Sequence, residues 1–350
     1  MAKLKLGVVF GGMSTENEVS RVSGKYVLKN LDESKYEIYP IFIDKTGEWF
    51  EYKGKYDDLQ MGKEPQNIKK IENIINYIKR LEVIFPVLHG LYGEDGTIQG
   101  LFELAKVPYV GCKVLSSSLG MDKVYTKIVL EKAGINQAKS CYVRRYNDKF
   151  IYINDKFDEE TLGLKELSET IETKLKYPMF VKPSNSGSSV GISKAVNKDQ
   201  LQNAIQEAGK FDNKILIEQG INGREIECAV IGNEEVIAGE VGEIKSADEF
   251  YSYDAKYNNA QSKTLIPADI SEEQKDEIKK IAVKAFKAID GKGLSRVDFF
   301  VEHETGKIYL NEINTMPGFT QISMYPKLME AYGMPYKKIL DNLIELAQEK

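Results

Sequence analysis

Apolar runs and helical patterns alternate through the first 120 residues of the chain. Three apolar runs predict strands: "LKLGVV" (4–9), "YEIYPIFI" (36–43) and "EVIFPVL" (82–88). Helical spacing follows the first run through "GKYVLKNL" and returns in 96–107 and 115–135, each interpreted as one helix. Because strands that alternate with helices form βαβ units, we predict an N-terminal α/β unit with a parallel sheet to about residue 120.

The rest of the chain is predicted to form two smaller units. In 124–213 the strand "PMFVK" precedes a glycine-rich loop, the strand "GISKAV" and the helix "NKDQLQNAIQEAGK". The unit 214–350 opens with the strand "KILIEQ" and later contains a helix with a capping pattern from Ser271 to Gln274. We therefore expect an α/β protein whose C-terminal part is α+β.

One long polar segment, 245–263, interrupts the last unit. It reads "KSADEFYSYDAKYNNAQSK" and is rich in tyrosine. A loop of this length in a compact enzyme is usually functional or disordered. We predict a mobile loop that becomes ordered over bound ligands.

Composition narrows the class of protein. The 350 residues include 42% hydrophobic and 29% charged residues, which suits two or three globular domains with cores of their own. The net charge of −5 gives no electrostatic reason to expect nucleic acid or an anionic membrane as a partner. The first apolar run is too short to span a bilayer and precedes no cleavage pattern, so we expect a cytoplasmic protein.

Cysteine and histidine counts limit the chemistry further. The three cysteines, Cys112, Cys141 and Cys228, are widely spaced, which predicts reduced structural residues and no disulfide framework. His89 and His303 are the two histidines of the chain, so a histidine-rich metal site is excluded.

The segment "LSRVDFFVEHETGKIYLNEINT" predicts a hairpin with a polar face. "ETG" is interpreted as a three-residue loop with a left-handed glycine, which pairs His303 with Lys307. Continuing that register along the strands places two polar pairs on the same face, Asp298 opposite Glu312 and Arg296 opposite Asn314.

This polar face is a candidate metal site. Two carboxylates directly across a ladder repel each other, and a divalent cation between them removes the conflict. With the amide oxygen of Asn314, Asp298 and Glu312 would offer hard oxygen ligands that suit Mg²⁺ or Mn²⁺. The alternative is a solvated polar face, but the strongly apolar flanking runs favour a functional one.

The stretch "KPSNSGSSVG" (182–191) directly follows a predicted strand. Its small side chains let several backbone N–H groups approach an anion, with Lys182 at the strand end. Such loops are more often plain turns, and the Walker pattern of a lysine after the glycines is missing. Beside a metal and phosphate site, the loop is better explained as a lid over nucleotide phosphates.

Seven segments, in order, resemble the D-alanine–D-alanine ligase family of the ATP-grasp superfamily, and the resemblance covers nearly the whole chain. They are "VVFGGMSTENEVS", "FPVLHGLYGEDGTIQG", "VGC…SSLGMDK", "KPSNSGSSVG", "YDAKY", "SRVDFF" and "NEINTMPGFTQISMYPKL". The resemblance implies an ATP-grasp fold that follows an N-terminal doubly wound domain. It also implies division into 1–123, a central subdomain 124–213 with the phosphate loop, and a C-terminal subdomain 214–350 with the metal site.

The resemblance assigns one group of residues to ATP and metal. ATP would be the co-substrate, with two Mg²⁺ or Mn²⁺ ions held by Asp298, Glu312 and Asn314. Glu218 is similar to the adenine-contacting glutamate and Glu225 to the ribose-binding one. The full set implied for the nucleotide is Lys123, Lys182, Glu218, Ile221, Glu225, Lys256 and Phe300. Gln219 stands where many relatives have lysine beside the adenine. The contact with adenine at this position is expected to be made by the backbone.

The resemblance assigns a second group to D-alanine and the chemical steps. Glu16 would hold the ammonium of the first D-alanine, close to His89, and Ser323 the carboxylate of the second. Arg296 and the backbone N–H of Gly318 would stabilise the transition state. The residues implied in substrate binding and catalysis are Glu16, His89, Ser188, Tyr257, Arg296, Gly318, Ser323 and Met324.

Four of these residues have simpler explanations in the sequence alone. Glu16 could be a first-turn helix glutamate, and His89 a hydrogen-bonded core histidine. Ser323 could be a turn residue, and Tyr257 one of twenty ordinary tyrosines.

The resemblance implies ligation of two D-alanines to D-alanyl-D-alanine for peptidoglycan precursors, through a D-alanyl phosphate. Homodimerisation is expected on the same ground. Ligation of D-serine or D-lactate to D-alanine is the first alternative. Met324, where D-serine enzymes often have arginine, disfavours D-serine, and the pair Lys256–Tyr257 disfavours D-lactate. A noncatalytic nucleotide-binding regulator is the second alternative, and the intact polar hairpin disfavours it.

Overall fold

The computed structural model describes residues 2–187, 190–245 and 263–349. These residues form three sheets, and helices pack against each sheet. Within the described residues, no helix is long and apolar enough to cross a membrane.

The first sheet has a parallel centre. Its strands are β1 (Leu4–Gly11), β2 (Tyr36–Ile43), β3 (Trp49–Tyr52), β4 (Ile68–Lys70) and β5 (Val83–Leu88). They run in the order β4-β3-β2-β1-β5, and β1 pairs in parallel with both β2 and β5. The predicted parallel arrangement is therefore confirmed at the centre. The sequence pattern missed two short strands on one side of the sheet, β3 and the edge strand β4, which are antiparallel and mostly exposed or half-buried.

The central sheet has six antiparallel strands in the order β10-β9-β11-β6-β7-β8. They are β6 (Ser140–Tyr146), β7 (Lys149–Ile153), β8 (Glu159–Leu162), β9 (Met179–Pro183), β10 (Ser193–Ala195) and β11 (Lys214–Gln219). β11 lies between β9 and β6, so the strand predicted to open the third unit pairs within the central sheet. The expected boundary at 213/214 therefore falls just before a central strand of this sheet.

The third sheet is also antiparallel, with the order β14-β13-β12-β15-β16. Its strands are β12 (Gly223–Gly232), β13 (Val236–Lys245), β14 (Lys263–Leu265), β15 (Gly293–Glu302) and β16 (Ile308–Asn314). Helix α8 (Glu272–Ala288) covers one face and begins at the predicted capping box of Ser271 and Gln274.

The hairpin between β15 and β16 corrects one detail of the predicted register. Glu302 pairs with Lys307, so the loop has four residues, 303–306, and the predicted pairing of His303 with Lys307 is wrong. A bulge at Asn311 of β16, opposite the step from Asp298 to Phe299 of β15, then shifts the register by one residue. The two one-residue differences cancel, and the polar pairs form as predicted. Gly306 is left-handed, with φ of 69°.

The remaining helices complete the layers. They are α1 (Asn17–Asn30), α2 (Ile74–Ile78), α3 (Thr97–Ala105), α4 (Val114–Met121), α5 (Lys123–Lys132), α6 (Leu164–Lys174), α7 (Lys198–Ala208), α9 (Met324–Ala331) and α10 (Tyr336–Ala347). The single helix predicted over 115–135 is two helices. Asp122 is extended there, and its carboxylate accepts hydrogen bonds from the N–H groups of Val124 and Tyr125 and pairs with Lys214.

The C-terminal helices tie the third sheet to the first. Buried residues of β1 and β5, including Phe10 and Phe85, belong to the same core as Leu328 of α9 and Ile344 of α10. The connection from β16 to α9, residues 315–323, consequently passes beside the carboxyl end of β5. This packing brings the three sheets to a common cleft.

Candidate active site

A cleft of about 770 Å³ opens where the three sheets meet. Residues from the first sheet, the central sheet and the third sheet line it together. Fifteen of the residues that the sequence assigned to sites line it: Glu16, His89, Lys123, Lys182, Glu218, Ile221, Glu225, Arg296, Asp298, Phe300, Glu312, Asn314, Gly318, Ser323 and Met324.

A row of carboxylates crosses the third sheet at the floor of the cleft. Glu227 of β12 pairs across the ladder with Asp298 of β15, which pairs with Glu312 of β16. Neighbouring strands lie about 4.8 Å apart, so this register sets three acidic side chains side by side. Glu227 was missed by the sequence analysis because the β12–β15 pairing cannot be derived from local spacing.

Arg296 partly neutralises this row. Its Nε and Nη2 lie 2.7 and 2.6 Å from Asp298 Oδ1 and Oδ2, and Nε lies 3.1 Å from Glu227 Oε2. Burial alone lowers the pKa of Arg296, but the carboxylates of Asp298 and Glu227 outweigh it and raise the pKa. The guanidinium is therefore a fixed positive charge at the floor.

The predicted metal ligands meet at this point. Asn314 Nδ2 donates to Asp298 Oδ2 at 3.0 Å, and Glu312 lies directly across from Asp298. Two carboxylates and one amide oxygen are the hard donors that Mg²⁺ and Mn²⁺ accept, usually with water or phosphate oxygens added. Among the described residues, no group of three histidine, cysteine, aspartate or glutamate side chains is arranged for metal binding.

Lysines from two elements face the carboxylate floor. Lys123, the first residue of α5, donates to the carbonyl oxygen of Ser186 in the glycine loop at 2.6 Å. Lys182 of β9 lies 2.6 Å from Glu218 Oε2, and Lys127 lies 2.7 Å from Glu218 Oε1. Lys127 was not predicted, although its spacing of four residues from Lys123 places both on one helix face.

The lysines determine the protonation of Glu218. Burial raises the pKa of Glu218, but Lys127 and Lys182 outweigh burial and lower it to about 2. In turn, burial lowers the pKa of Lys182, and the charge of Glu218 more than compensates and raises it. Both carboxylate oxygens of Glu218 are thus engaged by lysines, which makes this side chain an anchor for Lys127 and Lys182.

The Glu16 carboxylate fits into a space that two glycines leave open. A Cβ atom at Gly90 would lie 2.8 Å from Glu16 Oε2, and one at Gly187 would lie 3.2 Å away. Gly187 belongs to the glycine loop, so this loop and the start of α1 approach each other across the cleft. Glu16 is the N-cap residue of α1, and its side chain makes no capping hydrogen bond to the described first turn.

Glu94 is a second carboxylate near Glu16 that sequence reasoning missed. Its Oε1 accepts a hydrogen bond from the Gly90 N–H at 2.8 Å, and the half-buried side chain lines the cleft. Burial, followed by the charge of Glu16, raises the pKa of Glu94 to about 8. The motif "GEDG" gave no signal for this, because the effect depends on tertiary neighbours.

His89 is buried at the carboxyl end of β5, and both of its ring nitrogens have protein partners. Nε2 lies 2.9 Å from Ser23 Oγ, and Nδ1 lies 3.2 Å from the carbonyl oxygen of Met316. Burial lowers the pKa of His89, which favours the neutral ring. The ring therefore lines the cleft while supporting the loop that contains Gly318.

Ser323 and Met324 close one end of the cleft. Ser323 Oγ accepts a hydrogen bond from Thr320 N at 3.0 Å, and a Cβ atom at Gly318 would lie 2.7 Å from it. Met324 is 7% exposed, and its terminal methyl faces Gly242 of β13. This end of the cleft combines the hydroxyls of Ser323 and Thr320, the backbone at Gly318 and an apolar wall.

Ile221, Glu225 and Phe300 line the opposite part of the cleft, near the turn from β11 to β12. Gln219 Oε1 accepts a hydrogen bond from the Lys176 N–H at 3.2 Å. Three predicted residues, Ser188, Lys256 and Tyr257, lie outside the described residues, as does most of the predicted loop 245–263. Their roles stay predictions.

Comparison with known proteins gives a consistent result along the chain. A family model described as D-ala D-ala ligase N-terminus matches residues 5–112, and one described as D-ala D-ala ligase C-terminus matches residues 148–345. The chain is 52% identical over 351 aligned residues to a D-alanine–D-alanine ligase from Clostridium novyi, with 99% of each chain covered.

Two solved structures resemble the fold described above. The VanG D-Ala:D-Ser ligase from Enterococcus faecalis matches with a TM-score of 0.86 at 38% identity, covering 99% of this chain and 100% of that one. The D-alanine–D-alanine ligase from Coxiella burnetii matches with a TM-score of 0.81 at 33% identity, covering 99% and 94%. With both family models matched and the fold shared over its full length, the chain belongs to the D-alanine–D-alanine ligase family, whose members have the ATP-grasp fold.

Proposed function

We propose that the cleft joins two D-alanine molecules to D-alanyl-D-alanine at the expense of ATP, as a step in the synthesis of peptidoglycan precursors. The observation that carries the proposal is that three features meet in one cleft. They are the row of carboxylates on the third sheet, the lysines Lys123 and Lys182, and the pocket around Glu16. Phosphoryl transfer needs positive charge and a divalent cation around the phosphates, with little covalent chemistry from the protein. The three parts supply separate places for nucleotide, metal and amino acid.

The nucleotide lies along the cleft in this proposal. Lys123 and Lys182 bind its phosphates, and Glu225 binds the ribose between Ile221 and Phe300. Glu218 acts on the nucleotide indirectly, because its carboxylate is held by Lys127 and Lys182.

Asp298, Glu312 and Asn314 would hold the divalent ions that accompany ATP, Mg²⁺ or Mn²⁺. When bound, such ions neutralise the charge that develops on the transferred phosphoryl group. Arg296 contributes a second, permanent positive charge at the same point, because its neighbours raise its pKa.

In the first step, a carboxylate oxygen of the first D-alanine attacks the γ-phosphorus, and the bond to ADP breaks. Glu16 anchors the ammonium of that D-alanine, since its carboxylate lies in the space between Gly90 and Gly187. Ser188, Lys256 and Tyr257 are expected to assist, on resemblance alone. The product of this step is D-alanyl phosphate, a mixed anhydride that must be kept from water.

In the second step, the uncharged amine of the second D-alanine attacks the acyl carbon. A tetrahedral oxyanion forms, and its collapse releases phosphate and a proton. The Gly318 N–H and Arg296 stabilise the oxyanion, and Ser323 holds the carboxylate of the incoming D-alanine. Preorganised donors of this kind commonly contribute the largest share of the rate enhancement.

D-Alanine–D-serine ligation is the second candidate function, because one similar structure is a D-Ala:D-Ser ligase. The apolar wall formed by Met324 favours a methyl group over a hydroxyl, although a hydrophobic pocket rejects an added hydroxyl only weakly. The product analysis described next also distinguishes D-lactate as the acceptor and a noncatalytic regulator.

The test is product analysis by mass spectrometry. Purified protein receives ATP, Mg²⁺ and D-alanine alone, and then D-alanine in competition with equimolar D-serine or D-lactate. D-Alanyl-D-alanine as the dominant product supports the proposal. A dominant mixed product would show that D-serine or D-lactate is the preferred acceptor. ATP binding without turnover would indicate a noncatalytic nucleotide-binding regulator.

We also propose that two copies associate through the first unit and act in the cytoplasm, where ATP is available. Large apolar side chains on α3 and α4 support association, since Leu104 is 78% exposed and Leu115 63% exposed. Sedimentation of the wild type against the double variant Leu104→Glu/Leu115→Glu tests this. A wild-type monomer contradicts it.

A further inference from the structure

Helix α1 carries a buried polar face that points at the first sheet. Asn17, Ser20 and Ser23 are each 1% exposed or less, and each hydrogen-bonds to groups outside the helix. Asn17 and Ser20 bond to the ends of β1, β2 and β5. Ser23 bonds to His89 and to the connection between β16 and α9. A buried hydroxyl costs free energy unless it is hydrogen-bonded. The hydroxyl of Ser23 is hydrogen-bonded, and one of its two partners, His89, lines the cleft.

The hydrogen bonds around Ser23 have a fixed direction. The carbonyl oxygen of Met316 can only accept, so His89 Nδ1 carries the proton of the neutral ring. Nε2 is then an acceptor and takes the hydroxyl proton of Ser23 at 2.9 Å. The oxygen of Ser23 in turn accepts the N–H of Phe319 at 3.3 Å. In this series of three hydrogen bonds, every donor has one acceptor.

These hydrogen bonds hold the segment 316–319 at both ends. Met316 is held through its carbonyl oxygen and Phe319 through its N–H, and Pro317 between them has a fixed φ. The Phe319 carbonyl oxygen also accepts the hydroxyl of Tyr336 at 2.8 Å. Two peptide N–H groups of the segment remain, those of Met316 and Gly318, and Gly318 lines the cleft next to Ser323.

We propose that Ser23 is a positioning residue for the second half-reaction: through His89 and Phe319 it fixes the direction of the Gly318 N–H toward the acyl oxygen. This inference rests on the proposed function, in which the Gly318 N–H stabilises the oxyanion. It assigns a catalytic consequence to a residue of the first unit that touches neither substrate. Formation of D-alanyl phosphate, which relies on the lysines and the carboxylate floor, is independent of it.

Ser20 offers a matched control on the same helix. It is also fully buried, and its hydroxyl also makes two hydrogen bonds, accepting from the Gly11 N–H at 2.8 Å and donating to the Val87 carbonyl oxygen. Ser20→Ala and Ser23→Ala therefore remove the same number of buried hydrogen bonds one helical turn apart. Both should lower the melting temperature by similar amounts.

The experiment compares the two half-reactions in both variants. Dipeptide formation measures the complete reaction, and scrambling of the β,γ-bridge oxygen of ¹⁸O-labelled ATP in the presence of D-alanine measures reversible formation of the acyl phosphate. In Ser23→Ala we expect dipeptide formation to fall about tenfold or more relative to Ser20→Ala, because a small misplacement of a transition-state donor is costly. Oxygen scrambling should persist.

A second readout is the state of His89 itself. With His303 exposed, the two histidines give a simple long-range ¹H–¹⁵N spectrum. Wild type should show a neutral ring protonated on Nδ1, and Ser23→Ala should shift the Nε2 resonance. If Ser23→Ala does not fold, Ser23→Cys keeps a weak donor of similar size and should give a smaller loss in the same direction.

The outcomes separate the inference from the proposed function. If wild type forms dipeptide but Ser23→Ala and Ser20→Ala lose equal activity in both half-reactions, Ser23 is merely structural and the inference is overturned. A wild-type ring protonated on Nε2 also overturns it. Wild-type protein that makes no dipeptide overturns the proposed function and the inference together.

Discussion

Lys127 Nζ lies 2.7 Å from Glu218 Oε1, and both side chains are buried beside the lysines that face the cleft. The other oxygen of Glu218 holds Lys182. Glu218 therefore carries one negative charge between two positive ones, and removing either lysine leaves the remaining lysine alone with a buried carboxylate. Cutting one partner of a buried ionic group usually destabilises more than the pair itself stabilises.

Lys127→Met should weaken ATP binding more than it slows turnover. Without Lys127, the carboxylate of Glu218 attracts Lys182 more strongly. Less of the positive charge of Lys182 is then available to the ATP phosphates. We expect the KM for ATP to rise roughly five- to tenfold, about the free energy of one ordinary hydrogen bond, because Lys127 acts only through Glu218, with a smaller change in kcat. Lys210→Met, which removes an exposed lysine paired with Glu207, is the control and should leave the KM unchanged.

Glu312→Gln should abolish most ligase activity while preserving the fold. The substitution keeps the shape of the side chain opposite Asp298 but removes one of the two carboxylates expected to bind the metal. Turnover should fall by at least about a hundredfold. Phosphate release at saturating Mg²⁺, circular dichroism and Mn²⁺ binding in the presence of ATP are measured together. Folded variant protein with near wild-type turnover and Mn²⁺ affinity would remove Glu312 from the metal site.

Gly318→Ala should affect the second D-alanine selectively. The new Cβ atom would lie 2.7 Å from Ser323 Oγ, so the hydroxyl must move from the place where we expect it to hold a carboxylate. The KM for the second D-alanine should rise about tenfold or more, since one good hydrogen bond to a charged group is lost. Gly100→Ala in α3, where a Cβ atom meets nothing within 4 Å, is the control and should not change the KM. Equal kinetics in the two variants would contradict the assignment of Ser323.

Glu94→Gln should stabilise the protein increasingly as the pH rises. In the folded protein the pKa of Glu94 is about 8, above the value near 4.5 of an ordinary glutamate, so the folded state binds more protons between these limits. The contribution of Glu94 to stability is consequently lost as the pH rises from about 4.5 to about 8. Glutamine still accepts the Gly90 N–H but cannot ionise.

The measurement for Glu94 is the melting temperature of variant and wild type from pH 5 to pH 9. The difference between them should grow up to about pH 8 and then level off. Glu82→Gln is the control, because Glu82 also accepts a backbone N–H, from Lys5, but on the surface. A flat difference for Glu94→Gln would show that Glu94 is ionised throughout this range.

Local patterns predicted the parts of the fold that local forces determine. The buried strands β1, β2 and β5 and the facing pairs of Asp298 with Glu312 and of Arg296 with Asn314 follow from periodicity and pleating. The break at Asp122 and the edge strands β3 and β4 were missed, because a cap inside an apolar pattern and short exposed strands give weak signals. The hairpin loop was wrong by one residue, and the bulge on β16 compensated for it.

The residues that sequence reasoning missed owe their positions to long-range pairing. Glu227 joins the floor through the β12–β15 ladder, and Lys127 acquires its partner from a strand 91 residues away. The raised pKa of Glu94 comes from burial and from Glu16, which belongs to a different element. Ser23 gains its role only when the connection 316–319 packs against α1. None of these neighbours is visible in a window of the sequence.

The transfer of a carboxylate oxygen from D-alanine to phosphate tests the central claim most directly. The protein receives ATP, Mg²⁺ and D-alanine labelled with ¹⁸O in both carboxylate oxygens, and the released phosphate is analysed by mass spectrometry. If the carboxylate attacks the γ-phosphorus and the acyl phosphate then reacts with the second amine, each phosphate formed with dipeptide carries one ¹⁸O atom. Phosphate without ¹⁸O would mean that water, and not D-alanine, takes the phosphoryl group, and would contradict the account.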